Sequence, residues 1–219
     1  MGGVYCLGGS EGTTVNNNVI HHVHSFDYGG WGLYTDEGST GILLENNLVY
    51  NCKTAGFHQH YGKENTLKNN IFANNTKFQL QGSRIEDHLS VTFTNNIIWY
   101  GSDVLSSENW TKIKLRSDNN CYWNTHTKDI HFDKISFADW QKSGKDIHSV
   151  IADPGFVNPL QFDFRIKNKA LIRKIGFKDI YYLQAGVYGS EEWKKLSVMD
   201  PAIAIQFDKA VIRNTYREK

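Results

Sequence analysis

LENNLVYNC (Leu44–Cys52) and LKNNIFANN (Leu67–Asn75) carry one pattern, an Asn pair followed by a short apolar or aromatic run. VNNNVIHHV from Val15, FTNNIIWYG from Phe93 and SDNNCYWNT from Ser117 repeat it. Taking Asn17, Asn46, Asn69, Asn95 and Asn119 as register marks, the units recur every 23 to 29 residues, near the length of one solenoid turn. Residues such as Leu33-Tyr34-Thr35-Asp36 alternate with period two rather than 3.6, which excludes a helical repeat. The Leu signature of leucine-rich repeats and the Trp-Asp signature of propeller blades are missing. Short strands of this kind bury no face alone. Stacked in parallel they enclose an interior and satisfy one another's backbone groups. Asn suits the bends because it tolerates left-handed backbone, and aligned Asn amides can bond from rung to rung. The Asn pairs are therefore read as structural, and the chain as an all-β parallel solenoid.

Counting back from each Asn pair brings a second strand into register: Val4–Leu7, Leu33–Asp36, Phe57–His60 and Phe78–Gln81. Val4, Leu33, Phe57 and Phe78 are predicted to stack inward, with Cys6, Thr35, Gln59 and Leu80 as a smaller inward column. The outward columns then read Tyr5, Tyr34, His58, Gln79 and Leu7, Asp36, His60, Gln81. Glu37 and Tyr61 follow at the strand ends, Lys63 and Glu64 in the next turn, and Trp31, with Asp27 and Tyr28, on a loop beside them. This is the floor of a groove. Aromatic planes stack on sugar rings while Asp, Glu, His and Gln bond hydroxyls, so an oligo- or polysaccharide is the expected ligand. The plain alternative is a solvated sheet whose aromatics merely cover it.

Whole-chain composition narrows the field. Across 219 residues, 24 Lys+Arg against 23 Asp+Glu leave a net charge of +1, which offers no electrostatic footprint for nucleic acid or an anionic membrane. No run of about eighteen apolar residues occurs, and the opening residues lack the basic start and apolar stretch of a signal peptide. Three cysteines without CxxC spacing argue against a disulfide scaffold or a zinc site.

Glycoside cleavage needs two carboxyl groups, about 5–5.5 Å apart for retention or about 6.5–9.5 Å for inversion. Asp36 is read as nucleophile or base, Glu37 or the less certain Glu64 as its partner, and His60, one rung away, as hydrogen-bonding Asp36 and adjusting its charge. The catalytic candidates are thus Asp36, Glu37 and His60. The substrate-binding candidates are Tyr5, Trp31, Tyr34, His58, Tyr61, Lys63, Glu64, Gln79 and Gln81. His58 and His60 with Asp36 could in principle hold a divalent metal, but no metal and no cofactor is expected. A polysaccharide lyase would use Lys63, His58 or Tyr61 as base and needs a group to neutralise a uronate; Lys63 and Arg84 are the only obvious cations in these rungs. A noncatalytic glycan-binding module is the third reading.

The stretches GGVYCLGGSEGTTVNNNVIHHV, YGGWGLYTDEGSTGILLENNLVYN and GFHQHYGKENTLKNNIFANN resemble the bacterial right-handed parallel β-helix proteins found among polysaccharide-degrading enzymes, closest to glycoside hydrolases of fucosidase and xylanase type. WQKSGKDIHSVIADPGFVNPLQFDFRIKNKALIRKIGF is similar to their closing segment, so the resemblance runs to about Trp193. It implies a right-handed parallel β-helix with short helical excursions near the C-terminus, an extracellular or periplasmic setting, and a plant or microbial polysaccharide as substrate. It also implies that Asp36, within YTDEGS, sits in the active groove, with Glu37 and residues of HQHYGKEN beside it. Members of that family have further rungs and a natural second carboxylate upstream of GGVY. The lone chain is therefore expected to hydrolyse glycosides poorly and to pair its open first rung with a second copy or a partner chain.

The chain divides on this reading into rungs over 1–125, a closing rung with turns and short helices over 126–200, and a tail over 201–219. In the closing part, HFDKISFADWQKSGKDIHS reads as an excursion with Phe137 and Trp140 packing inward, and DPGFVNPLQFDFRI as a final turn and strand. Ser190 is a plausible N-cap for a helix over SEEWKKLS. AIAIQFDKAVI alternates like a strand.

Overall fold

A computed structural model describes residues 1–102 and 104–215, the side chains of 204, 208 and 211–215 excepted. Three parallel sheets of four, five and six strands form the stack, and each of the first four rungs contributes one strand to each. The first sheet begins with β1 (Gly2–Cys6), while β2 (Thr14–Asn16) and β3 (Val19–His21) open the second and third; β4 (Trp31–Thr35) lies beside β1, followed by Ala55–Gln59 and Phe78–Gly82. The second sheet continues from β2 through Leu43–Glu45, Asn65–Lys68, Leu89–Thr94 and Lys114–Asp118. The third continues from β3 through Leu48–Tyr50, Ile71–Ala73, Ile97–Tyr100, Cys121–Asn124 and Val150–Ile151.

The Asn pair forms the corner between the second and third sheets, and its two residues divide the work. The first is left-handed in every rung, with φ of 56° at Asn17, 55° at Asn46 and 56° at Asn69, Asn95 and Asn119. Asn adopts that region at little cost, so the chain turns sharply without glycine. The second is laddered and, from Asn47 onward, buried. Nδ2 of Asn18 donates to Oδ1 of Asn47 at 3.0 Å, Asn47 to Asn70 at 3.0 Å, Asn70 to Asn96 at 3.0 Å, and Asn96 to Asn120 at 3.2 Å. Each amide also takes the backbone N–H of the preceding rung, as in Asn47 N–H to Asn70 Oδ1 at 3.0 Å. The corner thus satisfies backbone groups that water cannot reach.

Inside, Leu33, Phe57 and Leu80 face Leu44, Leu67 and Phe93 across the second sheet and Val49, Phe72 and Ile98 across the third, all fully buried. Here the expected register fails for one rung. Leu80, not Phe78, aligns with Phe57, and Gln81 aligns with His58. Phe78 lies opposite Ala55 and packs with the outer cluster of Trp31 and Tyr34. Leu80 precedes Asn95 by 15 residues, against 12 from Phe57 to Asn69, so distance from the Asn pair does not set the register of this rung.

The first sheet also departs from strict alternation. A Cβ on Gly32 would lie 2.2 Å from Val49 Cγ1, and one on Gly56 2.8 Å from Phe72 Cδ1, so both glycines point inward beside inward Leu33 and Phe57. Two consecutive inward positions bring Trp31 to the same outer face as Tyr34. Gln79 occupies the corresponding inward place, fully buried and bonded to Asn75.

The far end of the stack is closed. An antiparallel pair, His131–Phe132 with Ile135–Ser136, leads into α1 (Phe137–Lys142), capped by Ser136, whose hydroxyl accepts the Asp139 N–H. Trp140 stacks on Phe132 at 4.4 Å against the last rung, as the sequence suggests, with Phe137 partly buried beside it. Buried Asp146 ends the Asn ladder: it accepts from Asn120 Nδ2 (2.9 Å), Ser117 Oγ (2.7 Å), Trp140 Nε1 (2.7 Å) and Tyr122 OH (3.1 Å). The outer face of the third sheet is covered by the hairpin Phe156–Asn158/Asp163–Ile166 and by α2 (Lys169–Ile175), whose Leu171 and Ile175 pack on Ile71, Ile97 and Cys121.

Beyond it, α3 (Glu191–Leu196) starts at Ser190 as expected. The tail does not form a strand: Pro201–Thr215 is a helix, α4, and residues 216–219 lie outside those described. Pro201 suits a first helical position, the Asp200 carboxylate accepts the Ala202 N–H, and Ile203 and Phe207 also fit helical i, i+4 spacing, so the alternation was ambiguous.

Candidate functional site

The outer face of the first sheet carries aromatic rings stacked at the rung spacing. Tyr34 and His58 lie parallel, 4.6 Å between centroids with 11° between planes, close to the separation of adjacent strands. Tyr5 meets Tyr34 edge-on at 5.2 Å, and Trp31 sits 4.5 Å from His58. Ala55 opposite Trp31 leaves room for the indole, whose Nε1 donates to Gln81 Oε1 at 2.7 Å, two rungs away.

These contacts correct the expected role of Trp31. It begins β4 rather than riding on a loop, and it is 2% exposed, with Tyr34 at 5%. Both form the packed floor, and Tyr28, 72% exposed, keeps the loop position edge-on to Trp31. Trp31→Ala is accordingly expected to cost about 3 kcal/mol in a urea melt, because it empties a buried indole site. Tyr34→Phe, which keeps the ring, should stay within about 1 kcal/mol of wild type.

Asp36 stands above this floor. It accepts a hydrogen bond from Tyr5 OH at 2.5 Å, and Tyr34 OH also bonds it. Partial burial opposes its ionisation, but the two tyrosine hydroxyls and the Glu37 backbone N–H outweigh that and hold its pKa below the usual carboxylate range. Its charge in turn pushes Tyr5 up to about 12, chiefly through their hydrogen bond. Tyr34 is raised by burial first and by Asp36 second.

The histidines play different parts. His60, partly exposed, places Nε2 3.8 Å from Glu37 Oε1; its partner is Glu37 rather than Asp36, although its charge helps to keep Asp36 ionised. His58 is 1% exposed, with Nε2 2.5 Å from Ser83 Oγ and Nδ1 without a partner. Burial, and then the charge of His60, lowers its pKa to about 3. His58 is a neutral floor residue whose Nε2 is committed to Ser83. Among the described residues no group of three or more His, Cys, Asp or Glu is placed to hold a metal ion.

Beside His60, the Tyr61 ring carries the Arg84 guanidinium at 4.6 Å. Arg84 follows the Gly82 strand end one rung beyond Tyr61, and its backbone N–H donates to His60 O at 2.8 Å. The sequence marks it only as a cation; the shifted fourth-rung register hides that it reaches this face. Lys63 and Glu64 stand apart. Gly62–Lys63 pairs with Ser39–Thr40 at a corner, and Lys63 Nζ lies 3.9 Å from Glu64 Oε1. Gln79 is lost to the interior, and Gln81 serves as acceptor for Trp31.

A cleft of about 430 Å³ lies elsewhere, between the third sheet and the C-terminal segment, lined by Ile71, Phe164, Ile166 and Tyr182. Its charged groups are paired, Lys169 with Asp179 at 3.0 Å and Arg165 with Asp163 at 2.5 Å. It offers no free reactive group comparable with Asp36.

Three parallel sheets, laddered corners and one outward face of ordered polar and aromatic columns define a parallel β-helix repeat protein. Residues 2–137 match the family described as "Right handed beta helix region", and the chain belongs to that family. Such domains occur in carbohydrate-active proteins and in others. No curated protein and no solved structure matches the chain.

Proposed function

We propose that the first-sheet face is a glycan-binding groove in which Asp36 and Glu37 cleave a glycosidic bond of a plant or microbial polysaccharide. The observation that carries this reading is the Asp36 carboxylate, held ionised by Tyr5 and Tyr34 above an aromatic floor. A carboxylate with a depressed pKa suits a nucleophile or base and not a general acid. Glu37, exposed and beside His60, is the second carboxyl group of the pair. Tyr5 and Tyr61 line the sugar path. Trp31, Tyr34 and His58 support it from beneath.

Arg84 favours a second reading. A guanidinium stacked on Tyr61 next to His60 could neutralise a uronate carboxylate while His60 or Tyr61 removes the α-proton, which is lyase chemistry.

A panel of neutral and uronate-containing oligosaccharides separates these readings. Reducing-end release that is lost in Asp36→Asn supports the hydrolase. An ultraviolet-absorbing unsaturated product that is lost in Arg84→Gln supports the lyase. Binding without turnover, weakened by Tyr61→Ala, leaves a glycan-binding module and overturns both catalytic assignments.

A further inference from the structure

The corner that leads into β4 is built differently from the next two on the same side of the stack. Between the third sheet and the first the chain uses four residues, 51–54 and again 74–77, but nine, 22–30, before Trp31. The longer corner is anchored. Lys53 Nζ donates to Ser25 O at 3.0 Å and to Asp27 O at 2.6 Å, Thr54 Oγ1 donates to Gly29 O, and the Thr54 N–H donates to Gly30 O at 2.8 Å. The carbonyls on either side of Tyr28 are thus both held by the following corner. Gly29 and Gly30, with φ of 118° and 86°, let the backbone return to the sheet in a short space. An ordered insertion beside a groove is where binding residues are carried on a rigid scaffold.

Tyr28 sits between those anchors. Its ring stands at 77° to the Trp31 indole, 4.9 Å away, and is open to solvent, so it forms a wall beside the packed floor. The floor itself has no face to offer a sugar: Trp31, Tyr34 and His58 are at most 5% exposed. Tyr61 carries the Arg84 guanidinium over its ring, and Tyr5 gives its hydroxyl to Asp36. The Tyr28 hydroxyl also meets that of Tyr34. Tyr34 has a single proton and gives it to Asp36, so toward Tyr28 it accepts, and two hydroxyls in series join the wall to the carboxylate.

We infer that Tyr28 is a sugar-stacking residue of the groove and that it takes an uncharged pyranose unit, next to the unit presented to Asp36. The inference rests on the glycan-binding reading above. An open aromatic face that a clamped loop holds in place binds the C–H side of a sugar ring without first being ordered. Charge selects the unit. The ionisable side chains at this end of the groove are acidic, Asp27 in the loop and Asp36 with Glu37 at the strand end, and the Lys53 ammonium is turned to the loop carbonyls. Arg84, which suits a uronate, lies two rungs on from Glu37. A uronate at Tyr28 would face carboxylates, whereas a neutral unit would not.

Calorimetric titration of the chain with neutral hexasaccharides (xylo-, cello-, manno- and galacto-series) tests this. Tyr28→Ala is expected to weaken binding of the neutral ligand about tenfold. Because the anchors of the loop are backbone carbonyls, the same variant should move the thermal midpoint by no more than about 2 °C. Tyr28→Phe keeps the ring and should retain most of the affinity. Lys53→Met, at a residue set below the loop, should weaken binding about threefold by freeing it. Tyr28→Ala that binds as wild type, while Tyr61→Ala binds more weakly, overturns the inference and leaves the groove intact. A loss of affinity matched by a large fall in the thermal midpoint also overturns it, since Tyr28 would then be a packing residue. A wild-type chain that binds neither these ligands nor uronate oligosaccharides overturns the glycan-binding reading and this inference together.

Discussion

Asn70→Ala is expected to destabilise the protein by about 5 kcal/mol, enough to leave a domain of ordinary stability close to unfolding at room temperature. Asn70 Oδ1 accepts both the backbone N–H and the side-chain amide of Asn47, while its Nδ2 donates to Leu44 O and Asn96 Oδ1. Alanine leaves these buried groups without their partners, and each orphan costs about 1–3 kcal/mol. Asn46, its neighbour in the preceding pair, is the control. Its main task is the left-handed turn; its Oδ1 accepts one bond, from Asn69 Nδ2, which keeps Lys178 O as acceptor, so Asn46→Gly should cost about 1 kcal/mol. Equilibrium urea unfolding of the two variants checks the contrast, and equal losses would mean that the ladder adds nothing beyond the turn.

Acidification should reveal His58. Its folded pKa of about 3 lies below the unfolded value, so between those limits the unfolded chain binds a proton that the folded chain refuses. Stability from this group is complete above the unfolded value of about 6.5 and is lost as pH falls toward 3. A gap of roughly three units corresponds to about 4 kcal/mol at the acid end. His58→Gln can still bond Ser83 and does not titrate, so its stability should fall less steeply over that interval. Urea midpoints at several pH values measure the difference, and coincident acid limbs would show that His58 is protonated within the fold. Carboxylates titrate in the same range, but they are common to both proteins. The prediction also bears on mechanism, since a buried neutral imidazole serves the groove as a stacked floor under Tyr34 and not as an acid.

Much of the architecture follows from short-range chemistry and is legible in the residues themselves. The Asn pairs announce the corners because a left-handed turn and a stackable amide are properties of the residue. Side-chain parity along a strand is local too, and it correctly sets Leu33 and Phe57 inward and Tyr34 and His58 outward. For the same reason Asp36, Glu37, His60 and Tyr61 fall together at one edge of the first sheet.

Other features depend on what each rung meets. Pairing with Ala55–Gln59 decides that Leu80 rather than Phe78 faces the core, and the distance from the Asn pair cannot, because the corner after Gly82 differs in length from the others. Trp31 looks like an exposed platform until Gly32 and Ala55 are placed, one yielding its inward space and the other its outward space. His60 pairs with Glu37 because Tyr5 and Tyr34, from two different rungs, reach Asp36. The segment from Pro201 had a pattern compatible with both strand and helix, and its local capping favours the helix. Neighbours along the chain set the rung, its corners and the face that carries the polar cluster. Register, burial and the partners of each charge depend instead on side chains that meet only after the rungs have stacked.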